Sequence, residues 1–112
     1  MNDKLQIITK LKKTIEYIDK SLENYPHKYI ELKNKINDEL YSMLEYCYIA
    51  NQNLEKEKYQ RISLVKLEMI DYYLKISYKK ELISKKKYES VAKHLLDINK
   101  MICGWIRSNE ES

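Results

Sequence analysis

The chain has 112 residues, a formal net charge of +4 and a charged fraction of 34%, but only one glycine and one proline. So few turn-forming residues argue against β-rich or loop-rich folds and against a glycine-rich phosphate loop. No apolar run approaches the roughly 18 residues that a transmembrane helix needs, and the first residues contain no signal-peptide core. We therefore expect a cytoplasmic, all-α protein that does not associate with membranes.

The first half of the chain predicts two long helices. Apolar residues recur there at steps of three and four, which is the period of one helical face. The first stripe stops at Pro26, and the residue before a proline disfavours the α conformation, so the first helix should span about 3–24. A second stripe predicts a helix over about 28–52, and the polar segment 51–58 is the expected connection.

The third predicted helix, over about 58–82, carries two apolar stripes instead of one. A simple bundle helix needs only one such face, so we expect the additional stripe to pack against another chain. The first stripe consists of Ile62, Val65, Met69, Tyr72 and Ile76, and the second consists of Leu67, Ile70, Leu74 and Tyr78.

The last predicted helix spans about 85–106. Ser84 is typical of a helix N-cap, and Gly104 lies where a C-capping glycine would be expected. Four helices of about 20 residues with short connections predict one domain over 1–112, an up-down-up-down four-helix bundle. An extended coiled coil is the alternative, which Pro26 and the turn at Ser84 disfavour.

Basic residues are most concentrated around the predicted turn between the third and fourth helices. Only Glu81 interrupts this group, and a helix-helix turn would gather it at one end of the bundle, where it could neutralise phosphates. The alternative is a solvated surface, because pairs such as Asp71 and Lys75 have the spacing of ordinary ion pairs on a helix. The predicted nucleic-acid or partner site consists of Lys75, Lys79, Lys80, Lys85, Lys86 and Lys87.

Catalytic and metal-binding patterns are not found in the sequence. Cys47 and Cys103 show no ligand spacing with His27 or His94, and no Glu-x-x-His pattern of a di-iron bundle occurs. We therefore expect a non-enzyme without a cofactor or metal ion.

The 11 tyrosines are expected to fill the core, since the chain has no phenylalanine. Tyr46 and Tyr73 lie off the main stripes and are expected to be exposed.

Several landmarks together resemble the Avd-like four-helix-bundle family, the accessory variability determinants of diversity-generating retroelements. They are the aromatic-proline break at Tyr25-Pro26, an Ile-Ser turn followed by a Lys-Tyr pair in 83–88, and a Gly-Trp close in 95–106. Related ribosomal-RNA intervening-sequence proteins share this fold. Asp71 and Lys75 stand where family members tend to carry arginines, and Cys103 replaces one glycine of a Gly-Gly-Trp close.

The resemblance implies a homopentameric barrel of four-helix bundles that assists a reverse transcriptase and contacts nucleic acid through basic surfaces. On this basis we expect a non-enzymatic accessory protein that binds a reverse transcriptase and its RNA or cDNA in a system like the diversity-generating retroelements. The alternative is an oligomeric helical module that docks another protein and binds no nucleic acid.

Overall fold

The computed structural model describes the backbone of residues 3–111 and the side chains of residues 6–110. Four α-helices, and no strand, are found in this part of the chain, which agrees with the predicted all-α class. They pack in a ring in which consecutive helices are neighbours and α4 returns to α1. The bundle measures 47 × 23 × 18 Å. The helices are α1 (Asp3–Leu22), α2 (Ile30–Asn51), α3 (Lys56–Lys79) and α4 (Lys85–Ser108).

The connection between α1 and α2 is built around Pro26. α1 ends at Leu22, two residues before the predicted position, and the Tyr25 amide donates to the Leu22 carbonyl at 3.2 Å. A short 3-10 helix, His27–Tyr29, follows the proline, and the Tyr29 amide donates to the Pro26 carbonyl at 2.9 Å. The proline therefore starts a compact turn, which delays the start of α2 to Ile30.

The core is a continuous cluster of aliphatic side chains contributed by all four helices. The contact between α2 and α3 is the most extensive, and small buried side chains allow these two helices to approach closely. Cys47 Sγ on α2 donates to Ser63 Oγ on α3 at 3.6 Å, so these two buried polar groups satisfy each other. Fully buried residues of the core include Leu11, Ile18, Ile36, Leu40, Met43, Ile70, Leu74, Ile98 and Ile102.

Two capping motifs form the turn between α3 and α4. The Ser84 side chain accepts a hydrogen bond from the Lys87 amide at 3.0 Å, which confirms the predicted N-cap. The end of α3 is closed by Glu81 with a φ of 62°, while the Leu82 amide donates to the Ser77 carbonyl at 2.9 Å. This arrangement is a Schellman motif, in which glycine is the usual left-handed residue.

Gly104 is not the C-cap that its position suggested. α4 continues to Ser108, and Gly104 lies inside its last turns without a positive φ. The nearest atom to a Cβ added there would be Nη2 of Arg107 at 3.7 Å, an ordinary van der Waals distance.

The outward side of α2 and α3 retains uncovered apolar side chains. The second predicted stripe of α3 lies mainly in the core, but Val65 and Tyr72 of the first stripe are 58% and 56% exposed. Tyr41 and Tyr48 project from α2 beside an open depression of about 810 Å³. We call Tyr41, Tyr48, Val65 and Tyr72 the outer apolar face.

Two tyrosines differ from the sequence prediction. Tyr46 and Tyr73 are half-buried and not exposed. The ring of Tyr46 stacks on Tyr59 of α3 with centroids 6.1 Å apart, whereas Tyr73 packs against the core. Both lie at the flank of a buried stripe, where a large ring reaches the neighbouring helix although its backbone position is peripheral.

Candidate nucleic-acid interface

The α3–α4 turn gathers most of the predicted lysines at one end of the bundle. Lys79 and Lys80 close α3, whereas Lys85 and Lys86 begin α4 after the Ser84 cap. All four side chains are exposed. Lys75 is also exposed, but it lies one helical turn, about 6 Å, farther along α3 from the end of the helix.

None of the six predicted lysines forms an ion pair within the described part of the chain. The ion pairs found there are Arg61 with Glu57 at 2.8 Å and Lys66 with Glu39 at 3.4 Å. Asp71, expected to pair with Lys75, instead accepts a hydrogen bond from the Tyr88 hydroxyl of α4 at 3.2 Å. Burial and then the Asp71 charge raise the pKa of Tyr88 above its usual value, so the phenol stays protonated and donates.

The α1–α2 connection adds further positive charge to the same end. The Tyr29 ring has Lys28 Nζ 5.2 Å from its centroid and Lys80 Nζ 5.7 Å from its centroid. These distances are within the range of cation–π contacts, so the ring holds two ammonium groups near each other. We call Lys28, Lys79, Lys80, Lys85 and Lys86 the basic end. Lys28 is not part of the predicted site, because the two turns are distant along the chain and the sequence does not show that they meet.

Lys87 differs from the other predicted lysines because it is half-buried between α1 and α4. Its Nζ lies 4.5 Å from the centroid of the Tyr17 ring and donates to the Tyr17 hydroxyl at 3.3 Å. That hydroxyl is also 2.9 Å from Ser90 Oγ. The hydrogen bond with Ser90, and secondarily Lys87, holds the pKa of Tyr17 below its usual value.

A second polar contact lies farther along the same seam. Lys10 Nζ on α1 is 3.0 Å from Nδ1 of His94 on α4. An ammonium group can only donate, so this geometry has Nδ1 of His94 accepting. The His94 ring meets the Tyr17 ring edge-on, with centroids 5.1 Å apart. The two rings therefore join the Lys10 and Lys87 contacts into one row along the α1–α4 seam.

The remaining candidate chemistry is sparse in the residues for which side chains are described. They contain no group of three or more His, Cys, Asp or Glu side chains placed to hold a metal ion. Burial raises the pKa of the Cys47 thiol above its usual value of 9.0, which disfavours the reactive thiolate. None of the described helices combines the length and the apolar character needed to cross a membrane.

Comparison with known proteins gives no independent assignment. No protein-family model matches the chain, and no curated protein matches it.

Proposed function

We propose that this protein is an oligomeric, non-enzymatic accessory factor that binds a reverse transcriptase and its RNA or cDNA, in a system like the diversity-generating retroelements. The observation that carries the proposal is the basic end, where exposed lysines from two separate connections converge without ion-pair partners. Free lysines of this kind can release counterions from a phosphate backbone on binding. The resemblance to the Avd-like family supplies the reverse transcriptase as the partner.

Self-association is the second part of the proposal. Large apolar side chains left exposed on a domain can mark an interaction surface, and the outer apolar face has two such side chains on each of two neighbouring helices. A second copy of the chain is the proposed occupant, and the homopentamer is taken from the family resemblance. A pentamer would multiply the net charge of +4 fivefold, so that weak lysine contacts could act together.

Nucleic-acid binding is tested with three triple variants that remove the same charge. K79Q/K80Q/K85Q changes the basic end, and K33Q/K35Q/K56Q is the matched control on α2 and the far end of α3. Fluorescence anisotropy with labelled RNA and DNA at 50 to 200 mM salt should show weaker binding for the first variant only. For duplex DNA, the logarithm of affinity should fall with the logarithm of salt by about 0.9 per phosphate contacted.

A purely structural interaction module is the second candidate function, and the outer apolar face is the observation that favours it. In that case the unsubstituted protein would bind neither RNA nor DNA at 50 mM salt. Capture of the reverse transcriptase would then be equal for K79Q/K80Q/K85Q and its control. Light scattering that gave a stable monomer would contradict the proposed assembly whichever way the nucleic-acid experiment came out.

A further inference from the structure

The outward side of α4 carries basic residues at a fixed interval along its whole length. They recur every seven residues, and all of them are exposed. Seven residues advance a helix by about 10.5 Å and change the direction of the side chain by only about 20°. The four side chains therefore follow a gently curving line about 32 Å long. We call these residues the α4 row: Lys86, Lys93, Lys100 and Arg107.

Acidic residues lie near the α4 row but do not neutralise it. Glu89 and Asp97 are three or four residues from members of the row, a spacing that allows ion pairs on a helix. Within the described residues, however, neither carboxylate is within 4.0 Å of a basic group.

The row also lies on the helix with the largest positive charge. α4 has six basic and two acidic residues, whereas α2 has two basic and four acidic residues. The positive field of the bundle is therefore strongest along α4, while α2 contributes a negative one.

The α1–α4 seam brings two further cations beside the row. Lys10 is held against His94, and Lys87 against Tyr17. Neither contact involves a carboxylate, and neither lysine forms an ion pair within the described residues. They are also ordered before any ligand arrives, which lowers the conformational entropy lost on binding.

The geometry points to a phosphodiester backbone lying along α4, so we propose that the α4 row is a nucleic-acid track that continues from the basic end. This proposal rests on the nucleic-acid binding proposed above. The line of about 32 Å corresponds to about nine base pairs of duplex, at 3.4 Å per base pair. A membrane surface fits less well, because Leu96 is the one large apolar side chain that α4 exposes in the described part of the chain.

The test compares K93Q/K100Q/R107Q, which leaves every residue of the basic end in place, with the two triple variants described above. All three remove the same charge, and each must match the unsubstituted protein in helical circular dichroism and in mass by light scattering. The probes are single-stranded RNA, single-stranded DNA and duplex DNA of 12 nucleotides or base pairs, followed by anisotropy. Vesicles containing phosphatidylserine, followed by sedimentation, are the competing probe.

We expect K93Q/K100Q/R107Q to bind nucleic acid more weakly and with a smaller dependence on salt. Raising the salt from 50 to 200 mM weakens the binding of the unsubstituted protein to duplex DNA. If the variant makes three fewer phosphate contacts, its own fall in affinity over this range should be about 40-fold smaller. Full binding by this variant, with weak binding by K79Q/K80Q/K85Q, would overturn the track and leave the proposed function standing. If the unsubstituted protein bound no nucleic acid, both proposals would fail. If the substitutions weakened vesicle binding and left oligonucleotide binding intact, the row would be a lipid contact instead.

Discussion

Lys87 Nζ lies 4.5 Å from the centre of the Tyr17 ring and 3.3 Å from its hydroxyl oxygen. One side chain thereby closes the seam between the first and last helices and ceases to be a free surface lysine. Its role differs from that of Lys79, Lys80, Lys85 and Lys86, which are exposed and make no ion pair in the described part of the chain.

The first prediction concerns the ionisation of Tyr17. Its phenol should titrate below the usual value of 10.0, chiefly because of the hydrogen bond with Ser90. Ser90→Ala should therefore raise the pKa of Tyr17, and Lys87→Gln, which removes a hydrogen bond and a positive charge, should raise it as well. The measurement is NMR titration of carbon-13-labelled tyrosine rings, with Tyr17→Phe identifying the resonance. Ser42→Ala, on the surface of α2, is the control and should leave the titration unchanged. An identical Tyr17 titration in Ser90→Ala would contradict the assigned cause.

The second prediction is a loss of stability at alkaline pH. The pKa of Cys47 is raised above 9.0, and those of Tyr25 and Tyr88 above 10.0, by burial first of all. In each case the unfolded chain loses its proton at a lower pH than the folded one, so the free energy of unfolding falls as pH rises past these values. Tyr17, with a lowered pKa, acts in the opposite direction but is one group against three.

Urea unfolding followed by circular dichroism at pH 8, 9, 10 and 11 measures this loss. Cys47→Ala removes the group that titrates first, so its stability should fall less between pH 8 and 10 than that of the unsubstituted protein. Between pH 10 and 11 both proteins should lose stability, because the tyrosines remain. A free energy of unfolding that is constant from pH 8 to 11 would rule out these shifts.

The third prediction concerns the left-handed residue at the end of α3. A residue other than glycine in this conformation costs about 1–2 kcal/mol, and glycine loses about 0.5–1 kcal/mol more chain entropy on folding. Glu81→Gly should therefore stabilise the protein by about 0.5–1 kcal/mol in urea unfolding. Glu81→Ala removes the same charge but keeps the Cβ, so it should not stabilise through backbone conformation. If both variants were stabilised equally, the removal of the Glu81 charge, and not the relief of its left-handed backbone conformation, would explain the change in the free energy of unfolding.

The fourth prediction concerns the outer apolar face. Val65→Glu with Tyr72→Glu places two charges where a second copy of the chain would have to be buried, so the mass by light scattering should fall toward 13.6 kDa. Both side chains are more than half exposed, so helical circular dichroism should be retained. Gln6→Glu with Thr9→Glu, on the surface of α1, adds the same charge and should leave the mass unchanged. An unchanged mass in the first variant would exclude this face from the assembly.

Much of the fold could be predicted because helix period and capping act over a few residues. The four helices follow from apolar spacing, and the N-cap at Ser84 follows from its side chain and position. The ends of the helices were less predictable. Glu81 occupies a position where glycine is preferred, and the only glycine lies inside α4, so the usual signal for a helix end was misleading.

The candidate site was only partly predictable, since its parts come from separate segments. The lysines near the α3–α4 turn form a local run, which the sequence displays directly. The contacts of Lys28 and Lys80 with the Tyr29 ring depend on how the two connections pack. The contact of Lys87 with Tyr17 depends on how α4 packs against α1. The seven-residue interval of the α4 row is visible in the sequence. The sequence could not show, however, that Glu89 and Asp97 form no ion pairs with the row.

The order of the helices has a practical consequence for attaching the protein to a surface. The start of α1 and the end of α4 lie at the same end as the α2–α3 connection, where Asn109 Nδ2 donates to Gln60 Oε1 at 2.7 Å. The basic end is at the opposite pole of a molecule 47 Å long. A biotin or dye attached near the start of α1 or the end of α4 would therefore hold the basic end away from the support. Immobilised binding assays and distance measurements by fluorescence transfer can both use this polarity without substituting any residue of the bundle.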